Sequence, residues 1–241
     1  MTNDLDVTIV VPCLNEELNI AGTLDTIREA MSQFQYRYEI LVIDDGSSDR
    51  TSCIVEEYRQ ANPGIALALH RNQKNLGFAT SYVNGSFMGR GLYYKLVCGD
   101  NTETGEALVA VFTQLGKADM IVSYLTEVRG KSAFRAGVSK LYTFLVNLIS
   151  GYQIRYYNGS ALHLRYNVMR WGPYSFGFGF QAELITRLLD EGASYIEVPI
   201  KVSHQEKHGS NNALNWRNFL SVGHTLLELL IRRIRRSAVG H

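Results

Sequence analysis

Two stretches limit what this chain can fold into: Thr8-Ile-Val-Val-Pro-Cys-Leu-Asn-Glu-Glu17 and Glu39-Ile-Leu-Val-Ile-Asp-Asp-Gly-Ser-Ser-Asp49. Each is an unbroken apolar run that stops abruptly at polar residues. That is how a strand buried on both faces reads, and such strands belong to parallel sheets covered by helices. The stretch between them, about 17–34, reads as a helix, so the unit is β-α-β. The expected fold class is α/β, a mostly parallel sheet flanked by helices. In open sheets of this kind ligands bind beyond the carboxyl ends of the strands. Pro12, Leu14, Asn15, Glu16, Asp44 and Asp45 are therefore expected at one edge.

The remaining segments continue the alternation. Gly46 allows a tight turn after the second strand, and Ser48 or Asp49 is expected to cap a helix at about 50–61. Glu16, Glu17 and Asp25 read as early acidic residues of the first helix, where the helix dipole favours them. Further strands are expected at 65–70, 93–98, 119–126, 160–165 and 194–202. Helices are expected at 78–90, 103–115, 133–150 and 180–191. Tyr156-Tyr157-Asn158-Gly159 is a turn signal, 172–179 is rich in Gly and aromatics, and 203–215 is a polar loop. The last element, 216–236, repeats Trp216, Phe219, Leu220, Leu226, Leu227, Leu230, Ile231 and Ile234 at helical spacing. Arg232, Arg233, Arg235 and Arg236 close it. It reads as an amphipathic helix with a basic end, lying on an anionic membrane surface or against a partner; the plainer reading is a helix packed on the domain with a solvated basic tail. Residues 1–214 form the domain in this reading, and 215–241 the appended helix.

A length of 241 residues is enough to bury a substantial core, and a net charge of +1 argues against general nucleic-acid binding. Cys13, Cys53 and Cys98 have no metal-ligand spacing and fit reduced thiols in the cytoplasm. No secretory signal and no transmembrane helix are expected.

The chemistry concentrates at strand ends. Asp44 and Asp45 can accept hydrogen bonds from the N–H groups of a base and from ribose hydroxyls, although a helix cap explains such a pair equally well. The backbone of Pro12 to Asn15 can frame a flat base, and Glu16 can reach a sugar hydroxyl. Asp100, after Gly99 at a third strand end, can hold a divalent cation on phosphates.

With these residues in view, the chain resembles family 2 glycosyltransferases of the GT-A fold, and within them the dolichyl-phosphate mannosyltransferase and polyprenyl-phosphate glycosyltransferase group. The likeness rests on Val11-Pro12-Cys13-Leu14-Asn15-Glu16-Glu17, on Ile43 to Asp49 as an Asp-Asp-Gly-Ser motif, and on Asn75-Leu76-Gly77. It continues in Arg135 and Ser139, which in the family meet the lipid phosphate, in Phe180 to Leu184, and in Glu197-Val198-Pro199-Ile200. The resemblance implies an inverting transfer of a sugar from a nucleotide diphosphate sugar, with Mg2+ or Mn2+ held at Asp100. A lipid phosphate acceptor would meet Arg135 and Ser139. The expected place of work is the cytoplasmic face of a membrane, with a homo-oligomer possible.

There are departures. The family's Asp-x-Asp metal motif falls on Cys98-Gly99-Asp100, so one carboxylate is missing and the metal site is weakened. The family's Arg after the fifth strand falls near Tyr124, and an Asp four residues before Gly159 is Arg155. The late basic pattern is half kept in His204 to Asn211. Lys201, His204, Lys207 and His208 could close over the diphosphate. An anionic phosphate acceptor needs no strong base; a hydroxyl acceptor does, and Glu183 is then the candidate. Two alternatives stand beside the lipid-phosphate reading: transfer to a glycan or small-molecule hydroxyl, and a non-catalytic nucleotide-sugar-binding protein.

Overall fold

The computed structural model describes residues 5–126, 133–170, 179–202 and 216–239, with 133–135, 216–221 and 236–239 described as backbone only. The elements run β1 (Val7–Cys13), α1 (Ile20–Met31), β2 (Tyr38–Asp44), α2 (Thr51–Ala61), β3 (Leu67–Arg71), α3 (Phe78–Met88), β4 (Tyr93–Leu96), α4 (Gly105–Phe112), β5 (Met120–Leu125), α5 (Ala133–Ser150), β6 (Leu162–Leu164), α6 (Arg165–Arg170), α7 (Phe180–Asp190), β7 (Tyr195–Ile200) and α8 (Trp216–Val239). The sheet order is β3-β2-β1-β4-β6-β5-β7, parallel throughout except that β6 runs against both neighbours.

The two defining stretches lie side by side. β1 pairs with β2 from Val7↔Tyr38 to Cys13↔Asp44, and every residue of β1 is buried. Alternation explains this burial: side chains of a strand point to opposite faces. Val7, Ile9, Val11 and Cys13 pack with Ile40 and Val42 under α1, α2 and α4. Val10, Leu41 and Ile43 pack on the other face with α3, α5, α7 and Leu229 of α8. Truncating a residue such as Ile9 to Ala would cost about 2–5 kcal/mol, the range for core cavities.

Three expectations are corrected. α1 begins at Ile20, three residues past the expected 17, because 14–19 are tied to the loop after β2; Glu16 and Glu17 therefore precede the helix, and no acid occupies its first turn. α2 has Arg50 at its cap position with no side-chain cap; Asp49 instead takes the Thr51 amide at 2.9 Å, one residue earlier than a regular cap, while the Ser48 amide and hydroxyl turn to Asn15. β6 is three residues long and antiparallel, and the short helix α6 follows it directly without having been expected. α8 packs on the domain: Leu229 is buried, and Val222 and Leu226 pack against the core. Within α8, Arg232 Nε lies 3.0 Å from Asp190 of α7 and its Nη2 donates to the Thr186 hydroxyl, which clamps the helix to the domain. No described helix is long and apolar enough to cross a membrane.

Candidate functional site

Because β1, β2, β3 and β4 are parallel neighbours, their carboxyl ends open onto one edge. The turns beyond them are fastened together by backbone. The Asp45 amide donates to Cys13 O at 2.9 Å, Asn72 N to Asp44 O at 2.8 Å, and Gly99 N to Pro12 O at 3.2 Å. Gly99 cannot carry a side chain here, since a Cβ would sit 2.7 Å from that of Cys13. The three expected turns, at Pro12, Asp44 and Asp100, thus meet at one edge.

Side chains then zip the first two turns. Asn15 adopts a left-handed backbone with φ of 55° and donates its amide to Ser47 Oγ at 2.9 Å, while its Oδ1 accepts the Ser48 amide at 2.8 Å. Glu16 N donates to Thr51 Oγ1 at 2.8 Å and Glu17 N to Asp49 at 3.1 Å. Burial draws the Asp49 pKa up, but the Thr51 hydroxyl, the Thr51 amide and the Glu17 amide outweigh it and hold the carboxyl below its ordinary value. Leu14 and Asn15 are exposed beyond this frame, and Pro12 is buried in it.

The two adjacent aspartates divide their work. Asp44 is fully buried; it accepts the Ser47 amide at 2.8 Å and the Ser52 hydroxyl, with Arg71 Nε 3.6 Å away. Asp45 organises the loop before α3: it accepts from Asn72 Nδ2 at 2.8 Å, Leu76 N at 2.9 Å and Gly77 N at 2.8 Å. The Asn75-Leu76-Gly77 stretch is thereby explained by backbone capture, and it leaves the Asn75 residue exposed. Asp100 is half-buried, and its Oδ1 accepts from Thr102 Oγ1 at 2.8 Å. Among the described residues no group of three or more His, Cys, Asp or Glu side chains could hold a metal ion.

A buried polar cluster beneath this turn escaped the sequence reading. Lys95 of β4 is fully buried and donates to Glu103 at 2.7 Å, to Leu96 O and Ser160 Oγ at 2.9 Å, and to Ser160 O at 3.3 Å. The signal was present: a lysine in the middle of Tyr-Tyr-Lys-Leu-Val, an otherwise apolar strand.

On the far side of β6, an open cavity of about 930 Å³ runs along α5, with Ser139, Lys140, Phe144, Leu148, Arg155 and Glu197 among its lining. Ser139 hydrogen-bonds the Tyr156 hydroxyl, which lowers a phenol pKa that burial otherwise raises. The two departures at Tyr124 and Arg155 meet here. Arg155 Nη1 donates to the Tyr124 hydroxyl at 2.6 Å, and the guanidinium lies 4.6 Å over the same ring. Its amide bonds Glu197 at 2.7 Å. The side chain of Arg135 lies outside the described residues, as do His204, Lys207 and His208. Glu183, the candidate base, is 1% exposed; Arg187 donates to its Oε1 at 2.8 Å, and its Oε2 has no partner among the described residues.

This geometry agrees with what known proteins show. The family model for glycosyl transferase family 2 matches residues 8–144, more than half of the chain. The chain belongs to family 2 of the glycosyltransferases. It is similar to a dodecaprenyl-phosphate galacturonate synthase of Rhizobium johnstonii, 25% identical over 70% of this chain and 52% of that protein. It is also similar to an undecaprenyl-phosphate 4-deoxy-4-formamido-L-arabinose transferase of Pseudomonas fluorescens, 29% identical over 60% of this chain and 42% of that one. The chain thus spans about half the length, or less, of these curated relatives. Among solved structures, glucosyl-3-phosphoglycerate synthase of Mycobacterium tuberculosis, crystallised with Mn2+, UDP and phosphoglyceric acid, superposes with a TM-score of 0.69 at 15% identity over 95% of this chain and 78% of that one. Mannosyl-3-phosphoglycerate synthase of Rubrobacter xylanophilus gives 0.72 at 15% identity over 97% and 75%. The fold is the GT-A fold.

Proposed function

We propose that this chain transfers a sugar, with inversion, from a nucleotide diphosphate sugar to a polyprenyl phosphate. The observation that carries the reading is the edge where the β1, β2 and β4 turns are bonded into one frame, together with the α5 cavity, whose lining includes Glu197 of β7, three strands from β4. At about 4.8 Å per strand, that separation is about 14 Å. The β1 and β2 turns would frame the base and ribose, with Leu14, Asn15 and Glu16 as their contacts, Asn75 flanking them, and the buried Asp44 and Asp45 holding the turn and the loop in place. Gly99 and Asp100 would face the diphosphate. A divalent cation carried on it, Mg2+ or Mn2+, would stabilise the charge of the departing diphosphate when bound. Arg135, Ser139, Lys140 and Arg155 would position the acceptor phosphate by charge-assisted contacts.

Three observations favour the phosphate acceptor over a hydroxyl. Glu183, the base that a hydroxyl would need, is closed off. The cavity joins cations to an apolar wall, as an anionic head on a hydrocarbon chain requires. The curated relatives are named for dodecaprenyl-phosphate and undecaprenyl-phosphate substrates or products. Peripheral attachment to a membrane would use the outward apolar residues of α5 and α8, Val138, Leu141, Phe144, Leu148, Leu227, Leu230 and Ile234, whose exposure supports this reading. A second reading, binding without catalysis, draws on Cys98 standing where the family carries an acid.

The test is a thermal-shift screen of UDP, GDP, CDP and dTDP with Mn2+ or Mg2+, followed by transfer to undecaprenyl phosphate in detergent. One nucleotide should stabilise the chain, and its sugar should move to the lipid in a reaction lost on Arg135→Ala. Binding without transfer to any acceptor would leave the non-catalytic reading standing instead.

A further inference from the structure

We propose that Lys95, Glu103 and Ser160 form a positioning device that holds the Asp100 turn in register with the acceptor-side turn. It rests on the reading that this turn faces the donor diphosphate.

The three side chains close a triangle. Lys95 Nζ is 2.7 Å from Glu103 Oε1 and 2.9 Å from Ser160 Oγ, and Ser160 Oγ donates to Glu103 Oε2 at 2.9 Å. Each vertex belongs to a different part of the site. Lys95 lies on β4, whose end carries Gly99 and Asp100. Glu103 lies three residues past Asp100, after Thr102 has bonded that carboxylate. Ser160 ends the turn that carries Arg155 and Tyr156. The links extend further: Ser123 of β5 donates to Ser160 O at 2.9 Å, Glu103 forms a β-bridge with Val202, and the Thr104 hydroxyl reaches Lys201 O at 3.3 Å. Val202 is the last described residue before the polar segment 203–215. One charge pair thus joins β4, β5, the strand-7 exit, the donor turn and the acceptor turn.

A buried ion pair is a poor source of stability, because desolvation cancels most of the attraction and apolar replacements are often neutral or stabilising. Lys95 is fully buried and Glu103 nearly so. A pair placed so expensively, in a strand otherwise apolar, at the junction of both candidate subsites, is explained by the geometry it enforces. It also supplies rigidity that a single carboxylate at Asp100 lacks.

Stability and positioning can be separated. The variant Lys95→Met/Glu103→Leu/Ser160→Ala replaces the triangle with apolar groups. Its melting temperature should equal or exceed that of the wild type. The gain in nucleoside-diphosphate affinity produced by Mn2+, measured by calorimetry as the ratio of Kd without and with the ion, should fall about ten-fold, the scale on which partners of a ligating group act. Affinity without Mn2+ should stay as in the wild type, since the β1 and β2 turns are untouched. The milder Ser160→Ala, which keeps the ion pair but leaves Lys95 and Glu103 each short of a hydrogen-bond partner, should melt a few degrees lower than the wild type and lose part of the same Mn2+ increment. Either variant, folded and with an unchanged increment, overturns the proposal. A wild-type chain that binds none of UDP, GDP, CDP or dTDP overturns the donor-site reading and this inference with it. A wild type that binds, beside variants indistinguishable from it, overturns this inference alone.

Discussion

His163 shows how a single residue can control acid stability. It lies in β6, fully buried, with neither ring nitrogen partnered among the described residues. Burial first, and the nearby Lys95 charge second, push its pKa down to about 3. The unfolded chain takes up this proton at an ordinary value of about 6.5. The folded pKa is the lower one, so the stability is complete above pH 6.5 and drains away as the pH falls toward 3, at a limit of about 1.4 kcal/mol per unit. His163→Leu should flatten that limb in urea melts at pH 7, 6, 5 and 4, with little loss at pH 7. Asp45 offers a second test. Its three donors come from residues 27–32 positions later in the chain. Asp45→Ala should cost about 2–3 kcal/mol in urea unfolding, because it removes a charged acceptor and strands buried donors. Asp45→Ala should also expose the loop at 72–77 to protease. The sequence marked Asp44 and Asp45 as a pair at a strand end. It could not say that Asp45 turns toward a distant loop, because that depends on which strand lies alongside β2.

At the scale of elements, α8 is the informative case. Its apolar spacing was legible, and so was its basic end, but not which arginines face the domain. Arg232 pairs with Asp190, which also accepts the Tyr152 hydroxyl at 2.9 Å. Burial, followed by the neighbouring Arg187 charge, lowers the Arg232 pKa to about 10. Breaking a buried pair by removing one member is strongly destabilising. Arg232→Ala should therefore cost about 3 kcal/mol and release α8, seen as faster amide exchange in α8 with β1 and β2 unchanged. Seven parallel or antiparallel strands were each legible within a few residues, because β1, β2 and β5 are apolar runs between polar turns. The misses share a cause. α6 is six residues long, too short for periodicity to show, and the direction of β6 depends on which strands lie beside it. The start of α1 is set by hydrogen bonds to Ser47, Thr51 and Asp49, which no local pattern encodes. The Lys95 cluster shows the same limit, since its partners come from beyond β4 and from the turn before β6.

The molecule as a whole presents two kinds of surface. One edge of the sheet is polar and holds the joined turns after β1, β2 and β4. The outer faces of α5 and α8 carry large apolar residues, including Leu141, Phe144 and Leu148 of α5 and Leu227 and Ile234 of α8. Each such side chain gains about 1.5–3 kcal/mol on leaving water. Sedimentation with phosphatidylglycerol vesicles should carry the wild-type chain down. Leu141→Glu/Phe144→Glu should remove at least about 3 kcal/mol of that binding without moving the melting temperature. Equal sedimentation of both proteins would show that these helices face something other than lipid. The brevity of β6 has a mechanical corollary. The half of the sheet that carries the nucleotide-side turns is stitched to the half that carries the cavity through three residues, paired at Tyr93, Tyr94 and Lys95 on one side and at Met120 and Ile121 on the other. With three residue pairs on one side and two on the other, that seam has the fewest pairs of any in the sheet, so under tension the two halves are expected to part there first.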